Sequence, residues 1–428
     1  MMKIRILALI ACSFILFSFV GGGQSQEEEP VPTLVPPTLV PTAVTTPTSS
    51  LNNTSNLARV QQDGVVRIGI LYSEPSFGEL TIRGEVIGFD ADLARAIAEA
   101  WGVELELIQV TRQSAPEMLR ANAVDMLIAA QVHRRELDTQ FEFSQTYYIG
   151  QQAMLVRNSD DLNTLSELAF RPIGVVIGSE AELAVQDWAA QNGYSLDIRP
   201  YLTLDAAYTA LVLGEVDGIV GRHGRLRRVI THPDLVRFLD EPVAREPYAI
   251  VMPRQDIHLR NLVNRTLQYL LAEGKIEELA KTYFPDSPFS SADYIIWENI
   301  GDEAPNVATS PTDYPLPTQF TLERLLSERT LRVSGLTPPA EGASLVEQRL
   351  ASINQAIVNA IAARWGVQVI PVGGSGEEAI QAVINGQADL AVGITPDWNY
   401  ANNVDFSMPY FMHGDRLLVP KNSNISGF

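Results

Sequence analysis

The chain reads as an α/β protein, and three observations carry that reading. Short apolar runs alternate with amphipathic helices, the pattern of parallel strands covered by helices. A polar-Val-Asp-apolar unit appears at 122–128 (NAVDMLI) and again at 214–220 (GEVDGIV), each marking a helix-loop-strand step. A stretch of about seventy residues is present twice.

The elements follow in order. Residues 65–70 (VVRIGI) predict a strand. Phe89, Leu93, Ala96/Ile97 and Ala100/Trp101 recur every three to four residues, one apolar face of a helix. Asp90 and Asp92 lie in its first turn, where they favour the dipole. Gly102 stands where a C′ glycine ends a helix. A strand is expected over 103–110, a helix over 116–122 and a buried strand over 125–130. Further on, 173–177 (IGVVI) predicts a strand, and 180–191 and 204–213 predict helices. After 248–251 come a long helix over 259–273 and a short one over 275–283.

The duplication is explicit in residues. Trp101-Gly102 recurs as Trp365-Gly366 and Asp125 as Asp389, at one offset of 264 (365 − 101, 389 − 125). Phe143-Ser144 recurs as Phe406-Ser407 at 263. A period that long means duplicated domains, not a solenoid. The first copy continues for over a hundred residues past Leu155-Val156, whereas the chain ends within ten of Leu418-Val419. One complete unit and one half unit are expected.

Composition narrows the function. The 428 residues suit two to three domains, and the hydrophobic fraction of 46% is that of a globular protein. Of the net charge of −20, residues 1–56 carry only −1 (Lys3 and Arg5 against Glu27, Glu28 and Glu29), so the folded part is strongly acidic. Such a surface is a poor partner for nucleic acid. The basic run 222–228 (RHGRLRR) reads as the solvated face of a short helix. The one cysteine, Cys12, leaves no disulfide for the folded part.

Lys3 and Arg5 precede an apolar run over 6–20 and the exit Gly21-Gly22-Gly23, the pattern of a secretory signal. An uncleaved anchor, or a lipid on Cys12 in the lipobox-like Leu9-Ile10-Ala11-Cys12, stays open as an alternative. Residues 24–56 are Pro/Thr-rich and predict a disordered, extended stalk. An extracytoplasmic location follows, in the periplasm or on the outer face of the membrane, with or without a tether.

A set of ordered motifs now carries a resemblance. It comprises G-F-D-x-D-L-A (88–94), W-G-V (101–103), V-D with an apolar strand (124–129), F-S-x-x-Y-Y (143–148), E-P-Y (246–248) and a helix ending in Tyr283-Phe284. Together they resemble family 3 of the extracytoplasmic solute-binding proteins, the receptors of polar amino-acid ABC transporters. The resemblance implies a type II periplasmic-binding-protein fold: two α/β lobes joined by two crossover strands. The solute-binding domain would be 57–286, with lobe 1 at 60–152 and 248–286 and lobe 2 at 153–247. A linker over 287–320 would lead to a partial second domain, lobe 1 only, at 321–428.

The resemblance also implies a mechanism. A small carboxylate-bearing solute, a polar or acidic amino acid, would be captured by cleft closure and handed to a membrane ABC permease. Arginine's planar fork suits the carboxylate. Arg135 would take the family's arginine position, with Val132 where a threonine is usual, Gln131 as a neighbouring contact and Arg134 as the competing register. The helix opening at Gly178-Ser179-Glu180 would supply N–H groups to the anion through Ser179 and Glu180, although Ser179 is also a good N-cap. Tyr72 and Phe77 would form aromatic walls. Tyr147 and Tyr148 suit the core equally well, Tyr148 especially. Where the family places an acid for the ammonium, this chain has Arg222, which accepts no hydrogen bond. Either another acid such as Glu180 or Asp205 substitutes, or the solute is not an ordinary α-amino acid. In the half copy the arginine position is Trp398, in 395–398 (TPDW), and no amino-acid binding by this mechanism is expected there.

No cofactor is expected. The five histidines lack metal-ligand spacing, and the loop 373–376 (GGSG) is no nucleophile turn. The chain reads as a receptor rather than an enzyme. The alternatives are a ligand-sensing module, or an exported dehydratase-like enzyme with Glu180 as its acid.

Overall fold

A computed structural model describes residues 55–285, 293–301, 310–314, 321–412, 414 and 418–423. The signal and almost all of the stalk lie outside these residues. Among those described, no helix is long and apolar enough to cross a membrane.

Lobe 1 opens with α1 (Asn56–Asp63) and β1 (Val65–Leu71), then three short strands, β2 (Ser73–Glu74), β3 (Gly78–Leu80) and β4 (Val86–Ile87). Next come α2 (Phe89–Trp101), β5 (Glu104–Val110), α3 (Ala115–Arg120) and β6 (Met126–Leu127). The 17-residue β7 (Phe141–Arg157) crosses into lobe 2. That lobe holds β8 (Pro172–Val176), α4 (Glu180–Asn192), β9 (Asp197–Tyr201), α5 (Leu204–Leu213), β10 (Gly218–Arg222), α6 (His223–Val229) and β11 (Val236–Phe238). The chain returns on β12 (Ala244–Pro253) and closes lobe 1 with α7 (Ile257–Ala272) and α8 (Lys275–Tyr283).

Among the described residues one nine-stranded sheet runs through both lobes in the order β5-β1-β6-β12-β7-β10-β8-β9, with β11 beside β7. β7 and β12 are antiparallel, and their register sets the cleft: Tyr148 faces Tyr248, Gly150 faces Glu246 and Gln152 faces Ala244. On its other edge Gln152 pairs with Arg222 of β10. These are the two expected crossover strands.

The predicted helix over 89–101 forms as read, with Gly102 left-handed at φ 65°. The buried strand expected over 125–130 shrinks to two residues, because the chain breaks at Ala130 (φ 45°) to aim its N–H at Asp90. Gly88 explains the glycine of G-F-D: at φ 129° its missing Cβ would stand 2.2 Å from the Phe77 carbonyl oxygen. The family's V-D aspartate proves structural. Asp125 is fully buried and accepts from the Arg67 backbone N–H (2.7 Å), the Arg67 guanidinium (3.1 Å) and Arg59 Nε (2.8 Å).

The half unit repeats that lobe: α9 (Thr321–Glu328), β13 (Thr330–Ser334), α10 (Leu345–Trp365), β14 (Gln368–Pro371), α11 (Glu377–Ile384) and β15 (Leu390–Ala391). Its sheet order β14-β13-β15 reproduces β5-β1-β6. Asp389 is held by the Arg332 backbone N–H (2.7 Å), the Arg332 guanidinium (2.7 Å) and Arg324. Trp101 donates to Thr266 Oγ1 of α7 at 2.7 Å, whereas its counterpart Trp365 is half-exposed. Trp398, in the arginine position, is buried against Trp297 and Ala401, with Phe406 packed alongside. Asp405 completes the docking by accepting from Asn261 of α7 at 2.8 Å.

Candidate functional site

The cleft is built where β2, β10 and the crossover strands meet. Glu74, at the end of β2, is 3% exposed. Among the described residues three arginines converge on it. Arg222 Nη1 donates to Oε1 at 2.9 Å and Arg225 Nε to the same oxygen at 3.0 Å. Arg225 Nη2 and Arg112 Nη2 donate to Oε2, both at 2.8 Å. Burial pushes the Glu74 carboxyl up, but Arg222, Arg225 and Arg112 outweigh it and hold its pKa below the usual range.

Arg222 ends β10, and its side chain is 10% exposed. Its Nε donates to Glu246 at 3.4 Å, and its guanidinium lies 5.5 Å from the centre of the Tyr248 ring. Its Nη2 is buried with no hydrogen-bond partner among the described residues. Burial works against its charge, yet Tyr248, Glu246 and Glu74 keep its pKa above the ordinary value. Glu246, facing Gly150 across the strands, also accepts from Tyr248 Oη at 2.6 Å and Gln152 Nε2 at 2.7 Å.

The basic run therefore differs from its reading as a solvated face. Arg222 is buried and Arg225 is half-committed, because the acid that neutralises them lies 148 and 151 residues upstream in the other lobe. Glu74 went unread for the same reason. The loop after β1 drew attention for its aromatics, and the signal for Glu74 was the unanswered charge of 222–228.

A second bridge spans the lobes, from Arg134 to Glu180. Arg135, the residue expected there, does not join it. It is exposed and opens a 3-10 turn, while Arg134 is the last extended residue before it. Successive side chains of extended chain point to opposite sides, so one residue of register decides which arginine faces lobe 2. The bridge is made by Arg134, the residue of the competing register. Glu180 is thereby paired with Arg134. Ser179 caps α4 by accepting from Glu182 N–H, and Glu182 accepts from Gly178 N–H at 2.7 Å, so this helix end is largely self-satisfied. Gln131 contributes its backbone oxygen to Ala249 N–H, and its side chain donates to Val132 O at 3.0 Å. Tyr72 turns away, donating to Leu107 O at 3.1 Å. Asp205 lies in the first turn of α5.

Phe77 does meet the site. It packs on Tyr248 and Phe284 (ring centres 4.9 Å in both cases) and on Tyr148 (5.9 Å). Beside these rings, with Arg222 and His223 across from them, is a cavity of about 170 Å³. Beneath it Asp90 accepts from Tyr147 Oη (2.9 Å) and Ala130 N–H (2.7 Å). Burial raises its pKa from 3.8 to about 7 despite both hydrogen bonds. Among the described residues no cluster of His, Cys, Asp and Glu could hold a metal ion.

Known proteins match this architecture. The L-cystine-binding protein TcyJ of Escherichia coli K12 is 25% identical over 231 residues, 53% of this chain and 85% of that protein. The glutamine-binding protein of Geobacillus stearothermophilus is 27% identical over 216 residues, 49% of this chain and 79% of its own. Among solved structures, an ancestral arginine-binding protein bound to arginine is 26% identical, covers 52% of this chain and 98% of its own, and gives a TM-score of 0.42. The family described as bacterial extracellular solute-binding proteins, family 3, matches residues 66–286 and 338–425, more than half of the chain. The chain is therefore a member of the bacterial extracellular solute-binding proteins, family 3.

Proposed function

We propose that this protein is an extracytoplasmic receptor that captures a small carboxylate-bearing solute by closing two lobes on it, and presents it to an ABC permease. The observation that carries this reading is the pair of charge bridges across the cleft, Glu74 to Arg222 and Arg225, and Arg134 to Glu180. Groups that face one another across a closing cleft are those a solute engages, and Arg222 keeps a buried donor to spare. The amino acids bound by relatives in the family support a solute of that size and charge. A solute that prefers the closed arrangement shifts the lobes toward it in proportion to its differential affinity. The arrangement 57–286 as receptor, with 321–428 as a docked partial domain, belongs to this proposal.

Calorimetric titration of the full chain with the twenty amino acids, small dicarboxylates and small 2-oxo and 2-hydroxy acids tests it. Saturable one-to-one heat with a decrease in radius of gyration by solution scattering is expected. No heat from any of these would overturn the receptor reading.

A further inference from the structure

We infer that the solute is an anion without an ammonium group, a 2-oxo or 2-hydroxy acid whose apolar or aromatic body fills the cavity beside Arg222. This deepens the receptor reading and rests on it. The first argument is acceptor capacity. A carboxylate offers about four lone-pair sites. Glu74 has all four filled, by two contacts on each oxygen. Glu246 has three filled, by Gln152, Tyr248 and Arg222. Glu180 is held by Arg134. An incoming ammonium would find no acceptor site free on Glu74 and one on Glu246, both beside the Arg222 cation, and Glu180 already paired with Arg134.

The second argument is donor surplus. Arg222 Nη2 is buried and lacks a partner among the described residues, and Arg222 lines the cavity. A buried guanidinium nitrogen left unpaired is costly, and an anion's oxygen would relieve it with a charge-assisted bond.

The third is the wall. An aromatic box alone suits a cation. Here Phe77, Tyr148, Tyr248 and Phe284 stand with Arg222 in the same lining, which holds no carboxylate among the described residues. Arg222 already occupies the face of Tyr248. Rings for a body and a guanidinium for a head define an acid with an apolar tail. The volume of about 170 Å³ beside these rings gives room for a small acid.

Titration of the full chain with matched pairs tests this: phenylpyruvate against phenylalanine, and 4-methyl-2-oxopentanoate against leucine. Within each pair only the carbonyl and the ammonium differ. At least tenfold tighter binding of one oxo acid is expected, with at least tenfold loss in Arg222→Gln. The wild-type comparison stands even if that variant fails to fold, which its thermal unfolding reports. Equal or tighter binding of the amino acid in both pairs overturns the inference and leaves the receptor reading intact. The same holds if neither oxo acid binds but another amino acid does. No binding by any amino acid, dicarboxylate or oxo acid overturns both.

Discussion

Replacing Glu74 by glutamine keeps the shape of the residue that joins the lobes and removes its charge. Of the three arginines it holds, Arg112 and Arg225 have side chains 46% and 49% exposed. Water takes over from the carboxylate there, so each contributes at most about 1 kcal/mol. Arg222 is different. Its one remaining carboxylate is Glu246 at 3.4 Å, and the glutamine amide offers the buried cation at best a neutral oxygen in place of a charged one. Removing one partner of a buried pair costs 3–5 kcal/mol, and the residual Glu246 contact places this case at about 3. For a unit of this size 1 kcal/mol moves the midpoint by roughly 2–4 °C, so calorimetry should show a drop of about 6–12 °C. Adding Arg222→Met to Glu74→Gln should recover much of that loss, since the stranded charge is gone. A shift under about 2 °C in the single variant would refute the claim that this bridge is buried and structural.

Three further outcomes follow from the same geometry. The folded chain binds the Asp90 proton more tightly than the unfolded chain, with a pKa moved from 3.8 to about 7. That contribution is therefore complete below about pH 4 and is lost as pH rises to about 7, by ~1.4 kcal/mol per unit. Urea midpoints across that window should fall in the wild type and flatten in Asp90→Asn. The Arg134→Ala variant should cost at most about 1 kcal/mol, since both members of that bridge are about one-third exposed. Its effect should weaken further in 0.5 M salt, and a loss above 2 kcal/mol in urea titration would contradict a solvated bridge. In Gly150→Ala the new Cβ would stand 2.4 Å from Tyr248 Cε2, a ring anchored by Glu246. Overpacking of about 1–3 kcal/mol is expected, and unchanged thermal stability would mean that the ring is free to move.

How far the sequence could be read depends on the range of the interactions. The helix over 89–101 was legible because its apolar period, its first-turn acids and its glycine stop are all local. The sheet halves followed from the strand-helix alternation. What was not legible needs partners far apart in the chain. Arg222 and Glu74 are 148 residues apart, and although the run 222–228 shows an unanswered positive charge, nothing local says which acid answers it. Arg134 and Arg135 differ by one residue of register, and the 3-10 turn that opens at Arg135, after an extended Arg134, has no mark in the sequence. Tyr72 is an aromatic in the expected loop, but its hydroxyl donates to Leu107 O, 35 residues on in β5.

The paired aspartates, Asp125 and Asp389, bear on what it means to recognise such a protein. Each is clamped by an arginine on the adjacent strand and another on the preceding helix, Arg67 with Arg59 and Arg332 with Arg324. The clamp persists in a unit that has Trp398, buried against Trp297, where the first copy has Arg135. The clamp of the first copy is thus kept in the second, where Trp398 is part of the interior. A pattern search that rewards the clamp detects descent, and it will score a lobe as kin whether or not that lobe still has anything to hold.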